Sequence, residues 1–344
     1  MMKSSTPATT AAPRNASPRR RVLQAGVAAA ATLAFPVLAT LAPAARGGTL
    51  RLLCSGPAGS IPDLVARGIG EQLPGVLGQR AVVDNRPGAA GQISIGALMA
   101  APADGSTLLL AQGAIATVYP HLYARLAYDA AADLQPVSLA AETSLALAVG
   151  PAVPGDVTTL ADLTAWLRRH PAEANVGSPG IGTLPHLLSA MLFGEERLAW
   201  QHIAYSGGPP AVTDLLGGRI AALVLPEGLL RQHHASRRVR VVATSGPVRS
   251  AYLPDVAPFA EQGRPDLMVT EWFAFFAPGR APKEPVAAVA RGLQAAIARP
   301  EVAAVFAQAG MTPASSSPSV LSARIDAEQR HWQRVLRTYG IHAE

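Results

Sequence analysis

The sequence has few of the residues that covalent or metal chemistry requires. It contains one cysteine, Cys54, in 344 residues, so no disulfide can form within the chain. Its eight histidines show no metal-ligand spacing, and neither a G-x-S-x-G nucleophile turn nor a GK[ST] phosphate loop occurs. We therefore expect no catalytic residues, no metal and no cofactor, and we predict a protein that is not an enzyme. An active site assembled from distant residues is the alternative, and turnover of a substrate would reveal it.

Charged residues are also few, at 15% of the chain, and the positive excess is concentrated at one end. Five of the 29 Lys and Arg residues, and none of the 23 Asp and Glu residues, lie in residues 1–45. A chain cleaved after Ala45 would therefore be nearly neutral, which argues against a nucleic-acid-binding protein. The clearest local basic stretch is "RQHHASRRVR", residues 231–240, and we predict that it is a solvated turn before a strand.

Residues 1–45 have the composition of an export signal. A basic start that ends at Arg21 precedes an apolar stretch, Ala25–Leu41, and then small residues of the kind that a signal peptidase accepts. The apolar stretch is too short and too rich in alanine to predict a membrane span. Because "RRRVLQ" resembles the twin-arginine pattern, we expect export to the periplasm by that route in preference to the Sec route.

The rest of the chain alternates strand-like and helix-like patterns. The strand patterns "TLRLLCS", "RAVVDN" and "STLLLAQG" are separated by helical spacing of apolar residues, which predicts right-handed βαβ units and a parallel sheet. Thr158 or Thr159, and further on Ser317, are predicted to begin helices as N-caps. Two apolar stretches, residues 136–151 and 267–278, have few turn signals. We predict two strand runs in the first stretch, and both stretches could carry the chain between two lobes.

Two glycine-containing turns are the candidate binding site. "GPAGSIPD", residues 56–63, precedes a helix that we expect from Leu64, and "GSPGIGTLPH", residues 177–186, precedes one that we expect from Leu187. Ligands of such folds bind beyond the carboxyl ends of parallel strands, where helix N-termini supply N–H donors and a favourable dipole. We predict that both turns direct unpaired backbone N–H groups at one carboxylate, although either could simply be a well-capped turn. The hydroxyl donors that the turns add are Ser60, Ser178 and Thr183.

These turns belong to a series of motifs that resembles one family. In chain order, "GPAGSIPDLVAR", "VVDNRPGAAG", "APADGSTLLL", "GSPGIGTLPHL" and "IAYSGGPPAVTDLLGGRI" resemble the Bug, or tripartite tricarboxylate transporter receptor, family of periplasmic solute-binding proteins. The resemblance extends from about Leu50 to Ile341. It implies an α/β fold of the type II periplasmic binding-protein kind, with two lobes that are each a mainly parallel sheet flanked by helices. We expect residues 46–148 and 273–344 in one lobe and residues 149–272 in the other.

The resemblance also implies a function. The protein would capture a small organic carboxylate between its lobes and deliver it to a membrane transporter, as a monomer. The ligand would be a di- or tricarboxylate, an acidic amino acid or an aromatic acid. A carboxylate sensor that acts on a membrane signalling partner is the alternative.

The resemblance further assigns ligand contacts. The predicted ligand-binding residues are Ala58, Gly59, Ser60, Asp63, Gln112, Ser178, Gly180, Gly182, Thr183, His186, Tyr205 and Phe273. Asp63 would either cap its helix or bind an amino group of the ligand. The turn "NRPGAAG", residues 85–91, is expected to be a scaffold beside the site, and Ala90 stands in it where the family usually has glycine.

Overall fold

The computed structural model describes residues 48–343. The predicted export signal, residues 1–45, lies outside these described residues, together with its twin-arginine pattern. Between residues 48 and 343, no helix is both long enough and apolar enough to cross a membrane.

Ten strands and thirteen α-helices are interspersed along these residues. The strands are β1 Thr49–Cys54, β2 Arg80–Asn85, β3 Thr107–Gln112, β4 Leu134–Val149, β5 Asn175–Ser178, β6 Gln201–Ala204, β7 Ala222–Pro226, β8 Arg240–Thr244, β9 Thr270–Pro278 and β10 Thr312–Pro313. The helices are α1 Ile61–Gly70, α2 Leu73–Leu77, α3 Gln92–Met99, α4 Ala114–Thr117, α5 Tyr119–Leu122, α6 Ala130–Asp133, α7 Leu160–Arg169, α8 Leu184–Glu195, α9 Gly208–Leu216, α10 Gly228–Ala235, α11 Lys283–Ile297, α12 Pro300–Gln308 and α13 Pro318–Tyr339. The predicted alternation of strands and helices is confirmed.

The strands form one continuous sheet with the order β2-β1-β3-β9-β4-β7-β5-β6, and β8 and β10 also pair with β4. Parallel pairing joins β1 to β2 and β3 in one half, and β5 to β6 and β7 in the other. The two halves meet at the antiparallel strands β4 and β9. We call the half that contains β1–β3 the first lobe and the half that contains β5–β8 the second lobe. The predicted two-lobed α/β fold is thus confirmed.

β4 belongs to both lobes. The prediction of two strand runs in residues 136–151 is wrong, because residues 134–149 form a single strand of 16 residues. β4 pairs with β9 as far as Ser144 and with β7 from Leu145 onwards. Since all of its residues are buried or half-buried and eleven of the sixteen are apolar, the strand can pack against cores on both sides of this change of partner.

The helix boundaries show where the prediction from sequence was accurate and where it was not. Thr159 and Ser317 are N-caps that accept hydrogen bonds from the first turns of α7 and α13, as predicted. In contrast, α1 and α8 each begin three residues earlier than expected, at Ile61 and Leu184. Each helix includes a proline in its first turn. Proline fits there because no intrahelical partner is lost, so this proline belongs to the helix and not to the turn before it.

The basic stretch of residues 231–240 also differs from its prediction as a turn. Its first five residues complete α10, and only the next residues form a turn before β8. Cys54 ends β1 as a fully buried free thiol. Burial raises the pKa of that thiol to about 12, so it stays protonated as a small apolar group.

Candidate ligand-binding cleft

One cavity lies between the lobes, beyond the carboxyl ends of the parallel strands. Its walls come from both predicted turns, from the "NRPGAAG" turn and from the segment that connects β6 to α9. The cavity volume is about 70 Å³. A water molecule needs roughly 10–15 Å³ of such space, so the cavity holds the equivalent of about five to seven waters. It is therefore suited to a small molecule.

Three helices direct their N-termini at this cavity. Ser60 and Ile61 at the start of α1, Thr183 before α8, and Gly207 and Gly208 at the start of α9 all line it. The N-terminus of a helix carries a partial positive charge and N–H groups without intrahelical partners. No lysine or arginine is among the cavity-lining residues of the described chain. An anion in the cavity would therefore be held by dipoles and N–H groups from both lobes.

Asp63 holds the first turn together. Its carboxylate accepts hydrogen bonds from the Gly59 N–H at 3.0 Å, from Asn85 Nδ2 at 3.0 Å and from Arg67 Nε at 3.0 Å. The side chain is almost completely buried. Burial alone would raise the pKa of the Asp63 carboxyl, but the hydrogen bonds from Arg67, Gly59 and Asn85 outweigh burial and hold that pKa below its ordinary value. Both oxygens of the Asp63 carboxylate thus accept hydrogen bonds from within the protein.

This arrangement predicts the outcome of an Asp63→Asn substitution. We expect the free energy of unfolding to fall by roughly 2 kcal/mol, because the new amide would direct donor hydrogens at donors that now face a carboxylate. Urea denaturation measures this loss. Binding of succinate and aspartate should change by the same factor, as isothermal titration would show, because no oxygen of Asp63 remains to bind an amino group.

Asp84→Asn is the matched control. Asp84 also pairs with two arginines, Arg51 and Arg86, but its side chain is more exposed and lies outside the cleft. An exposed ion pair contributes about 1 kcal/mol or less, so the free energy of unfolding of Asp84→Asn should differ little from that of the wild-type protein. A normal stability of Asp63→Asn together with a selective loss of aspartate binding would show instead that Asp63 binds an amine.

The second turn is also held by internal hydrogen bonds. Ser178 Oγ accepts the Gly180 N–H at 3.3 Å and lies 2.7 Å from His202 Nε2, while Thr183 Oγ1 donates to the Gly180 carbonyl at 2.7 Å. His186 Nδ1 accepts the Gly182 N–H at 3.1 Å. Of these predicted ligand contacts, only Thr183 lines the cavity.

The rings of His186 and His202 stack with centroids 4.1 Å apart. Burial lowers the pKa of His186 to about 3, with a further contribution from His202, and burial lowers that of His202 to about 4. Both rings are therefore neutral at neutral pH. They support the turn structurally and bring no positive charge to the ligand.

The prediction of unpaired glycine amides is therefore wrong for Gly59, Gly180 and Gly182. All three N–H groups donate to side chains of their own turns. The physical reason is that a turn with several glycines is conformationally loose, and local acceptors at Asp63, Ser178 and His186 fix it. The helix N-termini beyond the turns remain the predicted anion-binding elements.

The "NRPGAAG" turn takes part in the cavity wall, so it is more than the expected scaffold. Gly88, Ala90 and Gly91 line the cavity. Gln112 Nε2 donates to the Ala90 carbonyl at 2.7 Å, and Ser55 Oγ donates to Gln112 Oε1 at 2.9 Å. Ala90 has φ 51°, a left-handed conformation that alanine adopts with strain, as expected where glycine is the usual residue.

The predicted site residues thus fall into two groups. Those that line the cavity are Ser60, Gln112, Thr183 and Phe273. Those that lie around it without lining it are Ala58, Gly59, Asp63, Ser178, Gly180, Gly182, His186 and Tyr205. Tyr205 is turned towards α9, where its hydroxyl donates to Asp214 at 3.0 Å. Whether any of the twelve contacts a ligand stays a prediction.

The sequence reasoning missed two parts of the wall. Ser206, Gly207 and Gly208 line the cavity, although only Tyr205 was selected from "YSGGPP". Glu271 also lines it, and its sequence signal was a single carboxylate inside the apolar stretch of residues 267–278. A charged residue within a buried strand rarely persists without a function or a partner.

The two lobes touch directly across the cleft. A Cβ atom on Gly207 would lie 2.6 Å from Pro57 Cδ, and one on Gly180 would lie 2.9 Å from Ala90 Cβ. Both glycines also have φ in the region that favours glycine, 137° and 145°. The absence of side chains at these positions therefore permits the close approach of the lobes.

No cluster of metal-ligating residues was found among residues 48–343. The cleft contains dipoles, hydroxyl groups, an amide and one carboxyl group. Such a set can bind and orient an organic anion by hydrogen bonding.

Comparison with known proteins is consistent with this geometry. The model of the tripartite tricarboxylate transporter family receptor matches residues 65–341. The UPF0065 protein in the tcbD-tcbE intergenic region of Pseudomonas sp. (strain P51) is 33% identical over 291 residues, which cover 83% of this chain and 85% of that protein.

The chain is also similar to solved structures. The periplasmic binding protein BugD superposes with a TM-score of 0.81 and 25% identity, covering 86% of this chain and 99% of that one. The structure of Rpa4515 from R. palustris with adipate gives a TM-score of 0.80 and 27% identity, covering 86% and 98% of the two chains.

Proposed function

Because this chain belongs to the tripartite tricarboxylate transporter family of solute-binding receptors, we propose that it binds a dicarboxylate of four to six carbons and delivers it to a membrane transporter. One observation carries the proposal. The N-termini of α1, α8 and α9 converge on one cavity that no lysine or arginine lines, within the described chain. A carboxylate at such a helix N-terminus needs no counter-charge from a side chain.

The arrangement of these helices supports a ligand with two carboxylates. α1 belongs to the first lobe, while α8 and α9 belong to the second, so each lobe can hold one end of the molecule. A cavity that is equivalent to about five to seven waters has room for a small molecule. The similarity to a protein whose structure contains adipate agrees with this size.

In this proposal, the two lobes open and close by bending at the strands that they share. β4 changes partner between Ser144 and Leu145, and the Val269 N–H donates to the Ser245 carbonyl in the second lobe just before β9 enters the first. We place the boundaries of the lobes at these two points, a few residues from the expected 148/149 and 272/273. The ligand then acts by stabilising the closed arrangement, and no bond of the ligand is broken.

Family membership supports a periplasmic location and a membrane transporter as partner. We further propose that the protein is exported by the twin-arginine route, that it is a monomer, and that it binds its ligand without enzymatic activity. The sensor alternative is not retained, because no feature of residues 48–343 favours it over delivery to a transporter.

A thermal-shift panel tests this function. Adipate and succinate at millimolar concentration should raise the melting temperature of the purified mature chain by several degrees, because a ligand that binds only the folded state stabilises it by RT ln(1 + [L]/Kd). Hexanoate and butyrate, which have similar lengths and one carboxylate, are the matched controls and should give smaller shifts. A panel in which no dicarboxylate shifts the melting temperature would contradict the proposal.

A further inference from the structure

Within the part of the chain that the structure describes, Glu271 is the one titratable side chain in the cavity wall. It lies in β9, opposite Thr143 of β4, and is only 3% exposed. Its Oε1 atom is buried and has no hydrogen-bond partner. An unsatisfied buried carboxyl oxygen is costly, so a partner is expected from whatever fills the cavity.

Among residues 48–343, no cation contributes to the pKa of Glu271. The charged group that acts on its pKa is Glu328 of α13, a like charge, which accepts hydrogen bonds from the Trp272 indole at 2.9 and 2.8 Å. Arg324 of α13 is paired with Glu328 and with Glu142 of β4. From α5, Tyr119 contributes a neutral hydroxyl that bonds to the Ala90 carbonyl.

The protonation state follows from this setting. Burial, and then the charge of Glu328, raise the pKa of Glu271 to about 8, against a smaller lowering by the Trp272 backbone N–H. At neutral pH the side chain is therefore mostly an uncharged carboxylic acid. In that form it has an O–H donor as well as an acceptor oxygen.

Resting on the dicarboxylate-binding function proposed above, we propose that Glu271 binds the ligand as a neutral acid and donates its O–H to a ligand carboxylate oxygen. An ionised Glu271 would instead repel the same carboxylate in a poorly hydrated cavity. A short hydrogen bond from a neutral acid to a carboxylate is a strong, charge-assisted one. Glu271 would thus select an anionic group at this end of the ligand, where an ammonium group would require the ionised form.

The test is the affinity for adipate measured by isothermal titration from pH 6.5 to 9.5, a range in which adipate stays a dianion. For the wild-type protein we expect nearly constant affinity below about pH 8 and a fall that approaches ten-fold per pH unit above it, because ligand binding then requires uptake of a proton. Glu271→Gln keeps a donor of the same shape and has no proton to lose. It should bind within a few-fold of wild type at pH 7 and show a flat profile.

Glu227→Gln is the matched control. Glu227 is also buried, also has an unpartnered carboxyl oxygen, and its pKa is raised by burial to about 7, but it does not line the cavity. This variant should keep the wild-type pH profile. A second variant, Glu271→Ala, removes the donor and should bind adipate at least about ten-fold more weakly at pH 7, consistent with loss of a charge-assisted hydrogen bond.

The outcomes separate this inference from the function on which it rests. Adipate affinity that is independent of pH in the wild-type protein would overturn the role of Glu271 and leave the dicarboxylate receptor intact. Affinity that rises with pH, together with a preference for glutamate over adipate that Glu271→Gln abolishes, would overturn it in favour of an ionised Glu271 that binds an ammonium group. Failure of the wild-type protein to bind any dicarboxylate at any pH would overturn both proposals.

Discussion

Replacing Gly207 by alanine is expected to weaken ligand binding by roughly ten-fold or more. The new Cβ would lie 2.6 Å from Pro57 Cδ in the opposite lobe, well inside van der Waals contact. Relieving such an overlap costs about 1–3 kcal/mol, and the closed arrangement would bear that cost while the open one would not. Isothermal titration with adipate measures the loss of affinity, and the melting temperature without ligand shows that the fold is retained.

A control must separate the overlap from backbone strain, since Gly207 has φ 137°. Gly263→Ala serves this purpose, because Gly263 has φ 83° and a Cβ there would meet no atom within 4 Å. We expect this variant to lose some stability and to keep its affinity. Equal affinities of Gly207→Ala and the wild-type protein would show that the contact between Gly207 and Pro57 does not form in the liganded state.

Replacing Gly228 by alanine should have the largest effect on stability. A Cβ on Gly228, the first residue of α10, would lie 1.5 Å from the carbonyl oxygen of Ala309, which follows α12. Both atoms belong to the backbone or are fixed to it, so no rotamer change can separate them. We expect the free energy of unfolding to fall by about 3 kcal/mol or more, as measured by urea denaturation.

Gly194→Ala is the comparison for this experiment. Gly194 lies inside α8, and a Cβ there would meet no atom within 4 Å. Alanine in a helix interior is favoured over glycine by roughly 0.5–1 kcal/mol, so this variant should be slightly more stable than wild type. An unchanged denaturation midpoint for Gly228→Ala would mean that α10 and the segment after α12 are not in contact.

The sequence predicted the fold well where local chemistry decides the structure. "RAVVDN" is β2 from its first to its last residue, and the capping hydroxyls of Thr159 and Ser317 begin the helices that they were expected to begin. The prediction from sequence failed where tertiary contacts decide the secondary structure. β4 appears as two apolar stretches in the sequence, but pairing with β9 on one side and with β7 further along makes it one strand.

The site was predicted as two turns, and both turns do border one cavity. What the sequence could not give is the distribution of hydrogen bonds. Asn85 lies 22 residues after Asp63, and His202 lies 16 residues after His186, so only the folded arrangement brings these groups together. Glu271 was missed because a carboxylate in a strand pattern gives no indication of which face it occupies, and the strand brings it to the cleft.

The continuity of β4 through both lobes has a mechanical consequence. The chain crosses between the lobes within the hydrogen-bonded sheet and not in a flexible linker. A change in the angle between the lobes must therefore be distributed over the backbone torsions of a few residues on either side of Ser144. The shared strand also makes the halves inseparable, because a cut at Ser144 would divide the strand that pairs with β9 in one half and with β7 in the other.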